Sequence, residues 1–134
     1  MLKVGLHRWL DKPGNLEIYR KIHRHTGRIS RDRKFGVEVD IPLGHEALVF
    51  EIFGRRCACC GAEARSLVLD HHWPVQDGHP LLHNAVPLCR RCNAKKGVMK
   101  PTDFYDGWKL AEINMLLWET REAFDRRYGV ETAA

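Results

Sequence analysis

The sequence predicts an α+β fold in which two short strands and a short helix lie between longer flanking helices. Two short apolar segments, at 67–70 and 85–88, have the length of strands and are bracketed by two cysteine pairs. Apolar residues recur every three or four positions over 106–128, which is typical of an amphipathic helix. The length of 134 residues is that of one domain with its own core.

The N-terminal part of the chain predicts a helix, a strand and a second helix. The first helix is expected over 16–26, with Asn15 as its N-cap and Gly27 as its end. Apolar and polar residues alternate over 35–41, which predicts a half-buried strand. A short apolar helix over 47–53 then leads the chain to the first cysteine pair.

The central part predicts strand, loop, strand and helix in that order. The strands are 67–70 and 85–88, and they are separated by a loop over 71–83 whose composition is typical of turns. A helix is expected over 89–97, and the amphipathic helix over 106–128 is expected to pack on this central part.

Charge divides the chain into three segments with different expected roles. A basic N-terminal extension is predicted over 1–46, a core over 47–100 and a C-terminal helical segment over 101–134. Residues 1–34 hold ten Lys or Arg and three Asp or Glu, whereas 101–134 hold four basic and seven acidic residues. A basic arm favours a polyanionic partner such as DNA. Ordinary solvated surface charge is the alternative that charge alone leaves open.

The expected compartment is the cytoplasm. No stretch reaches the roughly 20 apolar residues of a membrane span, so no membrane partner is expected, and the N-terminus lacks the apolar region of a signal peptide. In a reducing compartment, spaced cysteines are more often metal ligands than disulfides.

The two Cys-x-x-Cys pairs predict one structural Zn²⁺ site. Its expected ligands are Cys57, Cys60, Cys89 and Cys92, because each tight loop can offer two thiolates to a tetrahedral ion. Four thiolates leave no open position for a substrate, so the site would stabilise the fold. Cys59 is left over, and unligated buried cysteines or two disulfides are the alternatives.

The residues enclosed by the cysteine pairs, together with those just after them, resemble the HNH endonuclease family. They match its fixed positions in this order: Asp70, His71, Pro74, Asn84, Asn93, Lys96 and Gly97. The resemblance covers about residues 47–100 and implies a ββα-metal, treble-clef-like core. That core consists of two short strands, a long loop and a helix, which is also the order predicted above.

The resemblance also implies catalytic roles for four residues. His71 would be the general base, since imidazole titrates near neutral pH. Asp70 and Asn93 would bind the catalytic divalent ion, and their hard oxygen ligands favour Mg²⁺ or Mn²⁺ over softer ions. Many family members have His where this chain has Asn93. Asn84 would brace the loop, and a backbone carbonyl of that loop would orient His71.

Basic residues on the helix after the second strand are candidate DNA contacts. Arg90, Arg91, Lys95 and Lys96 could each bind a phosphate beside the cut, and Lys96 is the strongest candidate because a basic residue recurs there in the family. Ordinary surface charge is the alternative.

Three further histidines lie in the same region. His72 follows the expected base and is predicted to be a packed side chain rather than a second catalyst. His79 and His83 lie in the predicted loop and are expected to face solvent or substrate.

The sequence therefore predicts a metal-dependent endonuclease that hydrolyses DNA with low sequence specificity. One centre cuts one strand, so a monomer would nick and a homodimer could cut both strands. Two alternatives stay open: a subunit of a phage packaging, restriction or defence assembly that needs its partner, and a catalytically idle zinc DNA-binding module. An RNA substrate is a weaker alternative. An exposed apolar face on the helix over 106–128 would favour the partner-dependent subunit.

Overall fold

A computed structural model describes residues 8–63 and 65–129 of the chain. Its main elements are α1 (Asn15–Lys34), α2 (His45–Ile52), β1 (Leu67–His71), β2 (Ala85–Cys89), α3 (Arg90–Lys96), α4 (Pro101–Phe104) and α5 (Gly107–Tyr128). The fold is mixed α+β, as predicted. None of the helices in the described ranges combines the length and the hydropathy needed to cross a membrane.

The two strands form a small antiparallel sheet that carries the centre of the molecule. Asp70 lies opposite Val86, and His71 lies opposite Ala85. The first four residues of β2 are buried, because the sheet packs between the flanking helices. The strands predicted at 67–70 and 85–88 are confirmed to within one residue at their ends.

Helix α5 closes the core, as its apolar periodicity predicts. Ile113 is fully buried and Phe124 is 3% exposed, so one face of the helix packs against the sheet and α2. The helix begins where Asp106 Oδ1 accepts the backbone N–H of Lys109 over 2.8 Å. It ends at Gly129, whose φ of +62° is the left-handed conformation typical of a glycine C-cap.

Helix α1 is longer than predicted. The sequence places its end at Gly27, but the helix continues to Lys34, and Asn15 is its first residue rather than its cap. A glycine inside an exposed helix costs only about 1 kcal/mol relative to alanine. Contacts made beyond Gly27, by Arg28 and Asp32, outweigh that cost.

The predicted strand over 35–41 is wrong. This segment begins with a turn at Phe35 and Gly36, and it pairs with no strand in the described ranges. Its start is tied to α1 instead, since the backbone N–H groups of Phe35 and Val37 both donate to the carbonyl of Asp32. The alternation reflects burial of Val37 and Ile41, and burial alone does not supply a ladder partner.

Candidate functional site

The four cysteines predicted to bind zinc come together in space. The sulfur atoms of Cys57, Cys60, Cys89 and Cys92 all lie within 4.8 Å of one another. The sulfurs of Cys60 and Cys89 are 4.0 Å apart. Tetrahedral zinc with Zn–S bonds of about 2.3 Å places its sulfurs about 3.8 Å apart. This cluster could therefore bind one zinc ion with only small adjustments.

Two loops from distant parts of the chain present these sulfurs. In each pair the backbone N–H of the second cysteine donates to the sulfur of the first, over 3.5 Å at Cys57 and 3.4 Å at Cys89. The first loop is fastened to the sheet, because Ala58 N donates to Pro87 O over 2.9 Å. The cluster thus joins the loop after α2 to the end of β2 and the start of α3.

The electrostatics of the cluster favour a bound cation. Burial disfavours the thiolate of Cys57, but backbone N–H groups around its sulfur outweigh burial and lower its pKa to about 7. Burial and the neighbouring sulfurs raise the pKa of Cys92. A dication among the four sulfurs would stabilise all the thiolates together. Within the described ranges, no other group of three or more His, Cys, Asp or Glu side chains is close enough to share an ion.

Cys59 lies outside this cluster. Its side chain is half-buried against the core, and burial raises the pKa of its thiol. A neutral thiol in this position acts as a small apolar side chain, which agrees with its being left over by the spacing.

Three of the predicted catalytic residues line one cavity. Asp70 and His71 reach it from the end of β1, and Asn93 reaches it from α3. The cavity has a volume of about 270 Å³. Arg28 and Arg31 of α1 also line it, so the N-terminal extension forms one of its walls.

A carboxylate that the sequence analysis missed holds His71. His71 Nε2 lies 2.7 Å from Asp32 Oδ1 on α1. A carboxylate can only accept a hydrogen bond, so Nε2 carries the proton and Nδ1 is left as the acceptor of the ring. The expected partner of His71 was a backbone carbonyl of the loop after β1, and that expectation is wrong.

Asp32 is itself firmly held. It is 1% exposed, and its Oδ2 accepts the backbone N–H of Leu81 over 3.1 Å. One sequence signal could have revealed it. Asp32 lies between Arg31 and Arg33 in the last turn of α1, where the helix dipole disfavours an acidic side chain. A carboxylate in such a place usually has a partner elsewhere in the fold.

Asn84 braces the loop between the strands. Its Oδ1 accepts the backbone N–H of Trp73 over 2.8 Å, and its Nδ2 donates to the carbonyls of Trp73 and Pro80 over 2.9 Å each. Its own backbone carbonyl accepts the N–H of His72 over 2.8 Å. These contacts fix the chain directly after His71 and agree with the predicted bracing role.

Asp70 and Lys96 form a buried ion pair beneath the cavity. Lys96 Nζ lies 2.8 Å from Asp70 Oδ2 and donates to the carbonyl of His71 over 3.0 Å. The ammonium of Lys96 thus neutralises Asp70 Oδ2, an atom that solvent does not reach. Burial raises the pKa of Asp70, and Lys96 opposes that rise.

The placement of Lys96 corrects its expected role as a phosphate contact. Its side chain is fully buried, so it neutralises Asp70 from inside the fold and offers nothing to an external ligand. The sequence pattern failed here because it places Lys96 on a helix without showing which face is covered. Arg90, Arg91 and Lys95 are exposed, as a phosphate contact requires.

The remaining histidines differ in their environments. His72 is 1% exposed and stacks on Tyr105 with ring centroids 5.8 Å apart; burial lowers its pKa to about 4, so it is neutral near pH 7. This agrees with the predicted packed role. His79 is exposed. His83 is half-buried with its ring edge-on to Phe124, 5.0 Å between centroids, so it stays partly open to solvent.

The cavity thus brings together a histidine, a carboxylate and an amide. His71 is oriented by a buried carboxylate, and Asp70 and Asn93 line the same cavity. Histidine is a common proton acceptor in catalysis, and carboxylate and amide oxygens are the ligand types that hard divalent ions take. Comparison with known proteins found no match to a family model, a curated protein or a solved structure.

Proposed function

We propose that this chain is a metal-dependent endonuclease of the HNH type, with a ββα-metal core, that hydrolyses phosphodiester bonds of DNA. The observation that carries the proposal is the cavity shared by Asp70, His71 and Asn93, in which Asp32 fixes the ring of His71. A histidine held this way by a buried carboxylate is suited to remove a proton from a water molecule.

The side chains suggest separate roles in proton transfer and in binding the divalent ion. His71 accepts the proton of the attacking water at Nδ1, and Asp32 stabilises the imidazolium that forms. Asp70 and Asn93, which line the same cavity, would hold Mg²⁺ or Mn²⁺ through their oxygen atoms. When bound, such an ion supplies positive charge to the phosphate and the leaving oxygen. The products expected are a 5′-phosphate and a 3′-hydroxyl.

The four-cysteine cluster has a structural part in this proposal. It joins the loop after α2 to the junction of β2 and α3; Asn84 directly precedes β2, and Asn93 lies on α3. A zinc ion bound there would hold these elements together without touching substrate, because all four of its positions would be filled by protein.

A plasmid-nicking assay tests the proposed activity. Zinc-loaded wild-type chain and the variants His71→Ala and His79→Ala would be incubated with supercoiled DNA and Mg²⁺, Mn²⁺ or no added ion. We expect open-circle product that needs the ion, is lost in His71→Ala and persists in His79→Ala, which changes an exposed histidine. A folded wild type that binds DNA but never cuts it would leave the idle zinc DNA-binding module as the better description.

A partner-dependent nuclease is the second candidate, and the surface of α5 favours it. Trp108, Met115 and Trp118 are 91%, 63% and 62% exposed, although the opposite face of the helix is buried. If the chain needs a second copy, nicking per molecule should rise with chain concentration, and Trp118→Lys should abolish that rise. Activity per molecule that is constant with concentration would argue against self-association.

A further inference from the structure

A second, larger cavity lies beside the candidate site and is strongly basic. Its volume is about 710 Å³. Arginines from α1, from the segment between α2 and β1 and from the start of α3 line it: Arg20, Arg24, Arg28, Arg55, Arg65 and Arg90. We call this cavity the basic groove. The acidic residues Glu17 and Glu46 also line it, so the positive charge far exceeds the negative charge.

Most of the cations in the basic groove are available to a ligand. Glu46 pairs with Arg24 at 2.9 Å and with Arg28 at 3.0 Å, which neutralises one charge and fixes both guanidinium groups. Within the described ranges, Arg20, Arg55, Arg65 and Arg90 form no ion pair, and all four are exposed. Unpaired arginines gathered around one concave surface attract a polyanion.

The cations of α1 lead from the basic groove to the candidate catalytic cavity. Arg20, Arg24, Arg28 and Arg31 follow one another at spacings of four, four and three residues, so they share one face of the helix. Over that distance the helix rises about 16 Å. Arg28 lines both cavities, and Arg31 lines the catalytic one. The next residue, Asp32, holds His71.

We propose that the basic groove binds the sugar–phosphate backbone of duplex DNA and leads it to His71. The proposal rests on the proposed endonuclease function for its choice of ligand. Duplex fits better than single strand, because single-strand sites combine cations with exposed aromatic stacking surfaces. The one aromatic side chain lining the groove, Phe50, is half-buried, and the exposed tryptophans of α5 contribute nothing to it.

The chain offers a matched control for this proposal. Arg20 and Arg90 are exposed and line the basic groove, whereas Arg121 and Arg126 are exposed on α5 and lie outside it. The groove variant is therefore Arg20→Gln with Arg90→Gln. The control variant is Arg121→Gln with Arg126→Gln, which removes the same charge from exposed helical positions outside the groove.

Binding would be measured by fluorescence anisotropy with a 20-base-pair duplex over a range of salt concentrations. All chains would be zinc-loaded and carry His71→Ala, so that DNA is not cut. We expect the groove variant to bind at least about tenfold more weakly at 0.1 M salt, with a salt slope shallower by about two. The control variant should bind as the parent does.

Three outcomes would overturn the groove proposal. Equal weakening in the two variants would show that only total charge matters. Unchanged binding in the groove variant would place the DNA elsewhere. Tighter binding of single-stranded DNA or RNA of the same length, lost in the groove variant, would replace the duplex by a single strand.

Failure of the groove proposal and failure of the proposed activity give different results. If wild-type chain never nicks plasmid but the groove variant loses duplex binding, the endonuclease proposal fails and the groove remains a DNA-binding site. If wild type nicks and the groove variant, with His71 restored, nicks and binds equally well, only the groove proposal fails.

Discussion

Helices α1 and α5 have nearly the same length, 20 and 22 residues, but different forces attach them to the rest of the molecule. Helix α5 buries Ile113 and Phe124 in the apolar core. Helix α1 fully buries one residue, Asp32, and it is tied to the body by hydrogen bonds and ion pairs: Asp32 with His71 and Leu81, and two arginines with Glu46.

This difference suggests a separation of tasks. Apolar contacts are non-directional and scale with buried area, so α5 is suited to stabilise the fold. Buried polar contacts add little net stability but depend strongly on geometry, so α1 is suited to position groups. We expect changes in α5 to affect mainly stability and changes in α1 to affect mainly the site.

The largest expected effect comes from the cysteine cluster. Cys92→Ser removes one buried sulfur of the cluster that could bind zinc, and structural zinc contributes on the order of 10 kcal/mol, comparable to the whole stability of a domain. We expect loss of bound zinc and of the cooperative thermal transition in circular dichroism. Cys59→Ser, outside the cluster, should keep both. A similar loss in Cys59→Ser would argue against this set of four ligands.

The apolar attachment of α5 is tested next. Ile113 is fully buried, so Ile113→Ala should lower the free energy of unfolding by about 3 kcal/mol in urea titrations, through lost burial and a residual cavity. Met115→Ala, at a position 63% exposed on the same helix, should change it by less than about 0.5 kcal/mol. Equal effects at the two positions would contradict the observed packing of α5.

His45 makes the stability of the contact between α2 and α5 depend on pH. Burial and nearby cations lower its pKa from about 6.5 to about 4, and its ring meets Phe124 edge-on. Between these values the unfolded chain binds a proton that the folded chain does not. The contribution of neutral His45 to the free energy of unfolding is therefore complete above pH 6.5. It falls by roughly 3 kcal/mol as the pH drops to about 4.

The variant His45→Gln isolates this contribution. Urea titrations between pH 4 and 7 should show a shallower pH dependence of the free energy of unfolding than in wild type. His79→Gln, which changes an exposed histidine, should keep the wild-type slope. An unchanged slope in His45→Gln would mean that other groups cause the loss at low pH.

The role of α1 is tested by a variant that should lower the activity and leave the fold intact. Asp32→Asn keeps the size of the side chain but removes the charge that fixes the Nε2 proton of His71. We expect the nicking rate to fall about 100-fold, with zinc content unchanged. A shift of the ring to the other tautomer should be visible by ¹⁵N NMR. Asp40→Asn, at an exposed carboxylate, is the control. Equal rates for the two variants would refute the positioning role of Asp32.

The smallest effect is expected at the second attachment point of α1. Glu46 is mostly buried; burial alone would raise its pKa, but Arg24 and Arg28 more than offset this and lower it. Glu46→Gln should cost about 1 kcal/mol of stability and speed hydrogen exchange in α1 more than in α5. Glu17→Gln, at a 70% exposed carboxylate 3.6 Å from Arg24, should do neither.

Local features of the sequence predicted much of the fold. The strands at 67–70 and 85–88, the long helix near the C-terminus and the cysteine cluster are confirmed. Each of these features has a local or periodic sequence pattern, such as a short apolar segment, a helical period or a Cys-x-x-Cys pair. The family resemblance and the catalytic roles that it implies stay predictions.

The features that sequence reasoning missed depend on contacts between distant residues. Asp32 and His71 are 39 positions apart, and no local sequence pattern predicts that they form a hydrogen bond. The burial of Lys96 depends on which side of α3 meets β1, which composition does not specify. The end of α1 was misplaced because anchoring contacts beyond Gly27 override its weak helix propensity.

Placing Asp32 and the basic residues on one continuous helix has a mechanical consequence. A helix advances about 1.5 Å and turns about 100° per residue, so the distance and the angle between Arg24 and Asp32 are fixed together. One residue inserted between them would rotate Asp32 away from His71 or the arginines away from Glu46. The same insertion before Asn15 would leave the contacts with His71 and with Glu46 in their present relative orientation. The number of residues between Arg24 and Asp32 therefore fixes where Asp32 lies relative to the ion pairs with Glu46.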